Sequence, residues 1–125
     1  MMVITGGVGQ GKLAYVLERT GLGEGDVAYT AAQAWDRPIF AGVTGWIREA
    51  LARGEDPDAV LDALLDGRPE LVLIFDEVGC GVVPLDEGER LWREKAGRCA
   101  CRAAARAQTV VRLLCGLPMA LKGSL

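Results

Sequence analysis

One short segment constrains this chain more than any other. Residues 6–12 read Gly6, Gly7, Val8, Gly9, Gln10, Gly11, Lys12, a G-x-x-x-x-G-K pattern. The apolar pair Val3 and Ile4 precedes it. Leu13, Val16 and Leu17 follow at helical spacing. Strand, glycine-rich loop and helix in that order let backbone N–H groups converge on phosphate oxygens without Cβ clashes. The helix N-terminus adds partial positive charge, and Lys12 adds a full one. The alternative is a glycine-rich turn of structural use only. One position departs from the pattern. Where Ser or Thr offers magnesium a hydroxyl, this chain has Leu13.

The rest of the chain extends the same strand and helix alternation. Val27, Ala28 and Tyr29 suggest a second short strand, after a helix stopped at Gly21, Gly23 and Gly25. Within 37–54, Trp46, Ile47, Ala50 and Leu51 fit one helix face, and Gly54 fits its stop. Asp56 and Pro57 read as N-cap and first helical residue, with Val60, Leu61, Leu64 and Leu65 inward and Gly67 as terminator. The unbroken run Leu71 to Phe75 predicts a buried parallel strand. A turn at 78–84, a helix over about 86–107 and a β-branched strand from Thr109 to Leu114 follow. Gly116, Leu117 and Pro118 are read as a break before a short tail. The expected architecture is one α/β domain over residues 1–125, a mostly parallel sheet with helices on its faces, like a P-loop NTPase.

Asp76 and Glu77 close the apolar run. A carboxylate at a strand's C-terminal end is where such folds hold magnesium, and open α/β sheets bind ligands at that edge. The alternative is an acidic pair that starts a turn. The candidate catalytic residues are therefore Lys12, Asp76 and Glu77. Gly6, Gly7, Val8, Gly9, Gln10, Gly11, Lys12 and Leu13 are the candidate nucleotide contacts, and Asp76 and Glu77 the candidate metal ligands.

Composition narrows the chemistry further. The 125 residues include no histidine, which excludes a Ser-His-Asp triad, a Cys-His pair, a histidine base and any His-containing zinc site. A net charge of −3 without a long basic block offers no footprint for nucleic acid or an anionic membrane. Arg98, Arg102 and Arg106 are four apart and form either a basic stripe or, preferably, a solvated face. No run is long and apolar enough to span a membrane, and MMVITGG lacks the regions of a signal peptide, so a cytoplasmic location is expected. Cys80, Cys99, Cys101 and Cys115 then should be reduced. Without CxxC spacing they are expected to be small buried or half-buried side chains rather than redox or metal groups. Trp35, Trp46 and Trp92 fit equally a subunit contact or the core.

Further motifs resemble a known family. DEVGCGVVP at 76–84 is similar to the N-E-V-G-x-G-I-V-P turn of the adenosylcobinamide kinase / adenosylcobinamide-phosphate guanylyltransferase family of cobalamin biosynthesis. KAGRCACRAAARA at 95–107 resembles its G-R-x-N-Q helix, and VVRLLCGLPMALKG at 110–123 its G-I/L-P strand and K-G tail. GGVGQGKL resembles its G-G-x-x-S-G-K-S loop, and VAYTAAQAWD its second strand. The resemblance covers roughly residues 1–36 and 71–123, while 37–70 show no matching motif. It implies a homotrimer, ATP or GTP with Mg²⁺ as cofactors, a corrinoid substrate, and two activities. One phosphorylates the aminopropanol hydroxyl of adenosylcobinamide. The other transfers GMP through a guanylylated histidine. It also implies that Gly6, Gly7, Gly11 and Lys12 bind nucleotide phosphates, and that Glu77 and the 79–84 turn lie near the nucleotide or a neighbouring subunit. This chain departs at Leu13, at Cys99 to Cys101, and in a shorter middle where the family carries its histidine. The expectation is a nucleotide-binding relative in which kinase-type transfer is possible and guanylyl transfer is lost. The alternative is a non-catalytic nucleotide-binding or assembly protein.

Overall fold

The computed structural model describes residues 1–77 and 86–125. The turn expected at 78–84, with Cys80 in it, lies outside the described residues. Six strands form one sheet: β1 (Met2–Gly6), β2 (Val27–Ala28), β3 (Ile39–Phe40), β4 (Val72–Asp76), β5 (Thr109–Leu114) and β6 (Leu117–Lys122). Their order is β2-β3-β4-β1-β5-β6, parallel throughout except that β6 runs antiparallel to β5. The helices are α1 (Lys12–Thr20), α2 (Ala31–Ala34), α3 (Val43–Ala52), α4 (Pro57–Gly67) and α5 (Glu87–Arg106).

Strand alternation sends side chains to two cores. Val3, Leu73, Phe75 and Val110 pack with Trp46, Ile47, Leu61, Leu64, Leu65 and Cys99 from the helices on one face. Ile4, Ile74, Val111 and Leu113 pack around Val16 of α1 on the other. Trp46 meets Phe40 edge to face, with centroids 5.8 Å apart. Asp56 caps α4 as expected, its carboxylate accepting the Asp58 N–H at 3.1 Å. Gly21 ends α1, donating its N–H to the Leu17 carbonyl.

Several expectations need correction. Ile39 and Phe40 form a strand before α3, although two residues are too few to show a period. The segment after Gly116 is a strand rather than a tail. Cys115 (φ 53°) and Gly116 (φ 75°) both take left-handed backbone and form a two-residue hairpin turn between the paired Leu114 and Leu117. Pro118 is tolerated because β6 is a sheet edge. Cys99 is buried as expected, whereas Cys101 and Cys115 are exposed.

The arginine stripe has a partner within the chain. Asp58, Asp62 and Asp66 recur every four residues along α4, and Lys95, Arg102 and Arg106 of α5 face them. Lys95 meets Asp58 at 2.9 Å and Arg106 meets Asp66 at 2.7 Å, and Arg102 pairs with Asp62. Arg98 pairs with Glu94 on its own helix. Trp92 is also held internally. Its indole N–H donates to the Thr44 carbonyl at 2.9 Å, and the Arg48 guanidinium lies 3.8 Å from the ring centroid. Trp35 remains half exposed.

Candidate phosphate-binding site

The register of β1 and β4 builds the site. Gly6 pairs with Asp76, so the loop leaves β1 beside the carboxylate that ends β4. Gly6 has φ 154°, and a Cβ there would stand 2.7 Å from the Leu113 carbonyl oxygen on β5. A side chain at position 6 therefore could not coexist with the neighbouring strand in this path. Gly11 forms the N-cap of α1 with no side-chain hydrogen bond, so no side chain occupies the first-turn donors there. Val8 at the loop tip is 82% exposed.

Lys12 is 7% exposed. Its ammonium donates to the Gly7 carbonyl at 2.7 Å and lies 2.8 Å from Asp76 Oδ1. The loop is also tied to the β5–β6 turn. Gln10 Oε1 accepts the Cys115 N–H at 2.5 Å, and the Gln10 carbonyl accepts the Gly116 N–H at 3.1 Å. Gly9, Gly11, Lys12, Leu13, Ala14, Tyr29, Ala41, Ile74 and Asp76 surround a cleft of about 330 Å³.

The structure separates the two acidic candidates. Asp76 shares the Ile74 side of β4 and opens onto this cleft, with its side chain 44% exposed. Its backbone N–H donates to the buried Thr44 hydroxyl at 3.0 Å. Glu77 instead receives the Arg112 guanidinium through two hydrogen bonds, at 2.7 and 3.1 Å, and its N–H donates to the Gly6 carbonyl. Leu13 lines the cleft as a hydrocarbon and packs against the core around Val16 and Ile74.

Lys12, Leu13, Gly9, Gly11 and Asp76 thus meet in one cleft, while Glu77 is engaged elsewhere. Tyr29, Ala41, Thr44 and Arg112 were not foreseen. Arg112 occupies a strand position opposite Thr5, a relation that exists only once β1 and β5 are paired.

Comparison with known proteins bears on the same residues. A family model described as cobinamide kinase / cobinamide phosphate guanyltransferase matches residues 38–121. The match includes the middle segment in which no motif was recognised, and it excludes the glycine-rich loop, whose assignment rests on its own pattern and geometry. The bifunctional adenosylcobalamin biosynthesis protein CobP of Pseudomonas aeruginosa is 38% identical over 66 residues, which are 53% of this chain and 38% of that protein. The aligned segment therefore spans well under half of that relative's length.

Proposed function

The chain belongs to the cobinamide kinase / cobinamide phosphate guanyltransferase family, and from that premise we propose that it binds ATP or GTP at the loop of residues 6–13 and is built for kinase-type phosphoryl transfer. The observation that carries this reading is the Lys12 ammonium, buried at the start of α1 and aimed between the Gly7 carbonyl and Asp76. Backbone N–H groups of the loop and the first turn of α1 would cradle the phosphates. Lys12 would exchange its Asp76 contact for phosphate oxygens and stabilise charge on the transferred group.

Magnesium suits the donor set in part. Magnesium favours one or two carboxylates plus phosphate and water oxygens, and Asp76 offers such a carboxylate at the cleft. It would screen phosphate charge there. Leu13 offers it nothing, and Glu77 is held by Arg112. The acceptor hydroxyl would approach past Tyr29 and Ala41, which line the same cleft and follow the strands β2 and β3. Phosphoryl transfer relies on positioning and charge stabilisation, so the lack of a histidine base does not block it. Guanylyl transfer through a histidine is a different matter, because this chain has none to carry GMP. The corrinoid acceptor, the homotrimer and a cytoplasmic location belong to the same proposal. Among the described residues, no helix is long and apolar enough to cross a membrane.

Leu13 favours a second reading, a nucleotide-binding or assembly protein without turnover. Incubating the chain with γ-labelled ATP or GTP, Mg²⁺ and adenosylcobinamide separates the two. Labelled adenosylcobinamide phosphate is expected for the kinase. Nucleotide binding without labelled product establishes the second reading.

A further inference from the structure

The end of β4 has a strand on one side and a side chain on the other. Successive N–H groups along a strand point to opposite sides. The Glu77 N–H points towards β1 and donates to the Gly6 carbonyl at 2.9 Å. The Val72 N–H points the other way and donates to the Pro38 carbonyl at 3.0 Å, just before β3. The Asp76 N–H shares that second side. There β3 stops at Phe40, whose partner is Leu73, and offers Asp76 no carbonyl. The Thr44 hydroxyl takes the place of the missing rung and accepts the Asp76 N–H at 3.0 Å.

We propose that Thr44 is a positioning residue that fixes Asp76 for magnesium at the cleft. The inference rests on the reading of Asp76 as the magnesium carboxylate beside bound phosphates. Thr44 does not line the cleft, so it acts through Asp76. It is 3% exposed, and its surroundings set its place independently of Asp76. The Ala41 N–H donates to the Ala28 carbonyl at 2.9 Å and anchors the segment that leads into α3. Gly42 lies so close to Tyr29 that a Cβ there would stand 3.0 Å from the Tyr29 carbonyl oxygen. From α5, the Trp92 indole N–H donates to the Thr44 carbonyl at 2.9 Å.

Asp76 needs such a support. Its side chain is 44% exposed, and its ion-pair partner Lys12 is the group that bound phosphate would draw away. Once that contact is exchanged, the Thr44 bond still holds the backbone from which the carboxylate projects. A magnesium ion held by few protein oxygens depends on the groups that orient them. Thr44→Val keeps the shape of threonine but puts a methyl group where the acceptor stood, leaving the Asp76 N–H without it.

Calorimetric titration of GTP and ATP at varied Mg²⁺ tests the proposal, using the native chain, Thr44→Val, Thr44→Ser, Asp76→Asn and the Thr44→Val, Asp76→Asn double variant. Thr44→Val is expected to need about tenfold more Mg²⁺ for the same gain in nucleotide affinity, with affinity in the absence of Mg²⁺ unchanged. Thr44→Ser keeps the hydroxyl and is expected to match the native chain. In the Asp76→Asn background, Thr44→Val is expected to change nothing further. Thr44→Ala serves if Thr44→Val does not fold. Hydrogen exchange in the native chain needs no variant, and the Asp76 amide is expected to exchange slowly, like the paired amides of β4. An unchanged Mg²⁺ dependence in Thr44→Val, an equal loss of Mg²⁺-free affinity, no recovery in Thr44→Ser, the same shift in the Asp76→Asn background, or an unprotected Asp76 amide would each overturn the positioning role while leaving the phosphate loop standing. If the native chain binds neither nucleotide, or Asp76→Asn leaves the Mg²⁺ dependence unchanged, the underlying reading falls and the role of Thr44 falls with it.

Discussion

Lys12 and Asp76 touch at 2.8 Å, although each reaches the cleft from a different chain segment, Lys12 from the start of α1 and Asp76 from the end of β4. The parallel register of Gly6 with Asp76 makes that meeting possible. The pair keeps a buried ammonium neutralised. Asp76→Asn removes the charge and keeps the shape. Nucleotide binding without Mg²⁺ is expected to persist or tighten, because Lys12 no longer has a competing anion. Mg²⁺-dependent turnover is expected to fall on the order of 100-fold. Binding and turnover measured side by side with and without Mg²⁺ check this, and unchanged turnover would remove Asp76 from the reaction.

Leu13 is the one position where the loop contradicts its own motif. Leu13→Ser restores a hydroxyl beside Asp76 and is expected to make nucleotide binding depend more strongly on Mg²⁺, by about tenfold. The loss of leucine packing against the α1 core costs about 1–3 kcal/mol of stability. Calorimetry at fixed nucleotide and varied Mg²⁺ reads the first effect and thermal unfolding the second.

The absence of histidine makes a chemical statement. Incubation with α-labelled GTP followed by denaturing gel is expected to leave the protein unlabelled. An acid-labile labelled band would show guanylylation on another side chain and contradict the proposed loss.

Asp58, Lys95 and Cys99 form a trio between α4 and α5, and they give the stability two pH flanks. Lys95 bonds Asp58 at 2.9 Å and holds its carboxyl below the usual range, assisted by the Cys99 thiol at 3.2 Å. That contribution is full above the unfolded carboxyl's pKa, about 4, and is lost as pH falls through the lower folded value. Burial, with Asp58 nearby, pushes the Cys99 thiol up to about 12. Its contribution is full below the unfolded thiol's pKa, about 8.5, and is lost as pH rises towards the folded value. Asp58→Asn is expected to cost about 1–3 kcal/mol at pH 7 and less at pH 3. In the native chain, iodoacetamide is expected to modify Cys101 and Cys115 and spare Cys99, as read by peptide mass spectrometry.

Much of this was legible in residue order. The glycine-rich loop, the Asp56 cap, the apolar run ending at Asp76 and the long helix after it each carry a local signal. What escaped depends on pairing. Ile39 and Phe40 are a strand because β4 lies beside them, and Leu117 to Lys122 a strand because β5 does. Read alone, Gly116 and Pro118 are breakers. The division of labour between Asp76 and Glu77 was equally hidden, since it follows from the two faces of the sheet and from Arg112 on a distant strand. The arginine stripe on α5 gained its meaning only when the aspartates of α4 stood opposite.

The central claim is that residues 6–13 bind nucleotide phosphates with Lys12 at their centre. Calorimetric titration of GTP and ATP into the native chain and into Lys12→Ala tests it most directly. Saturable 1:1 binding of at least one nucleotide is expected in the native chain, weakened by about 100-fold or more in the folded variant, in keeping with the loss of a buried charged donor. No binding by the native chain, or equal binding by Lys12→Ala, would contradict the claim and reduce the loop to a turn between a strand and a helix.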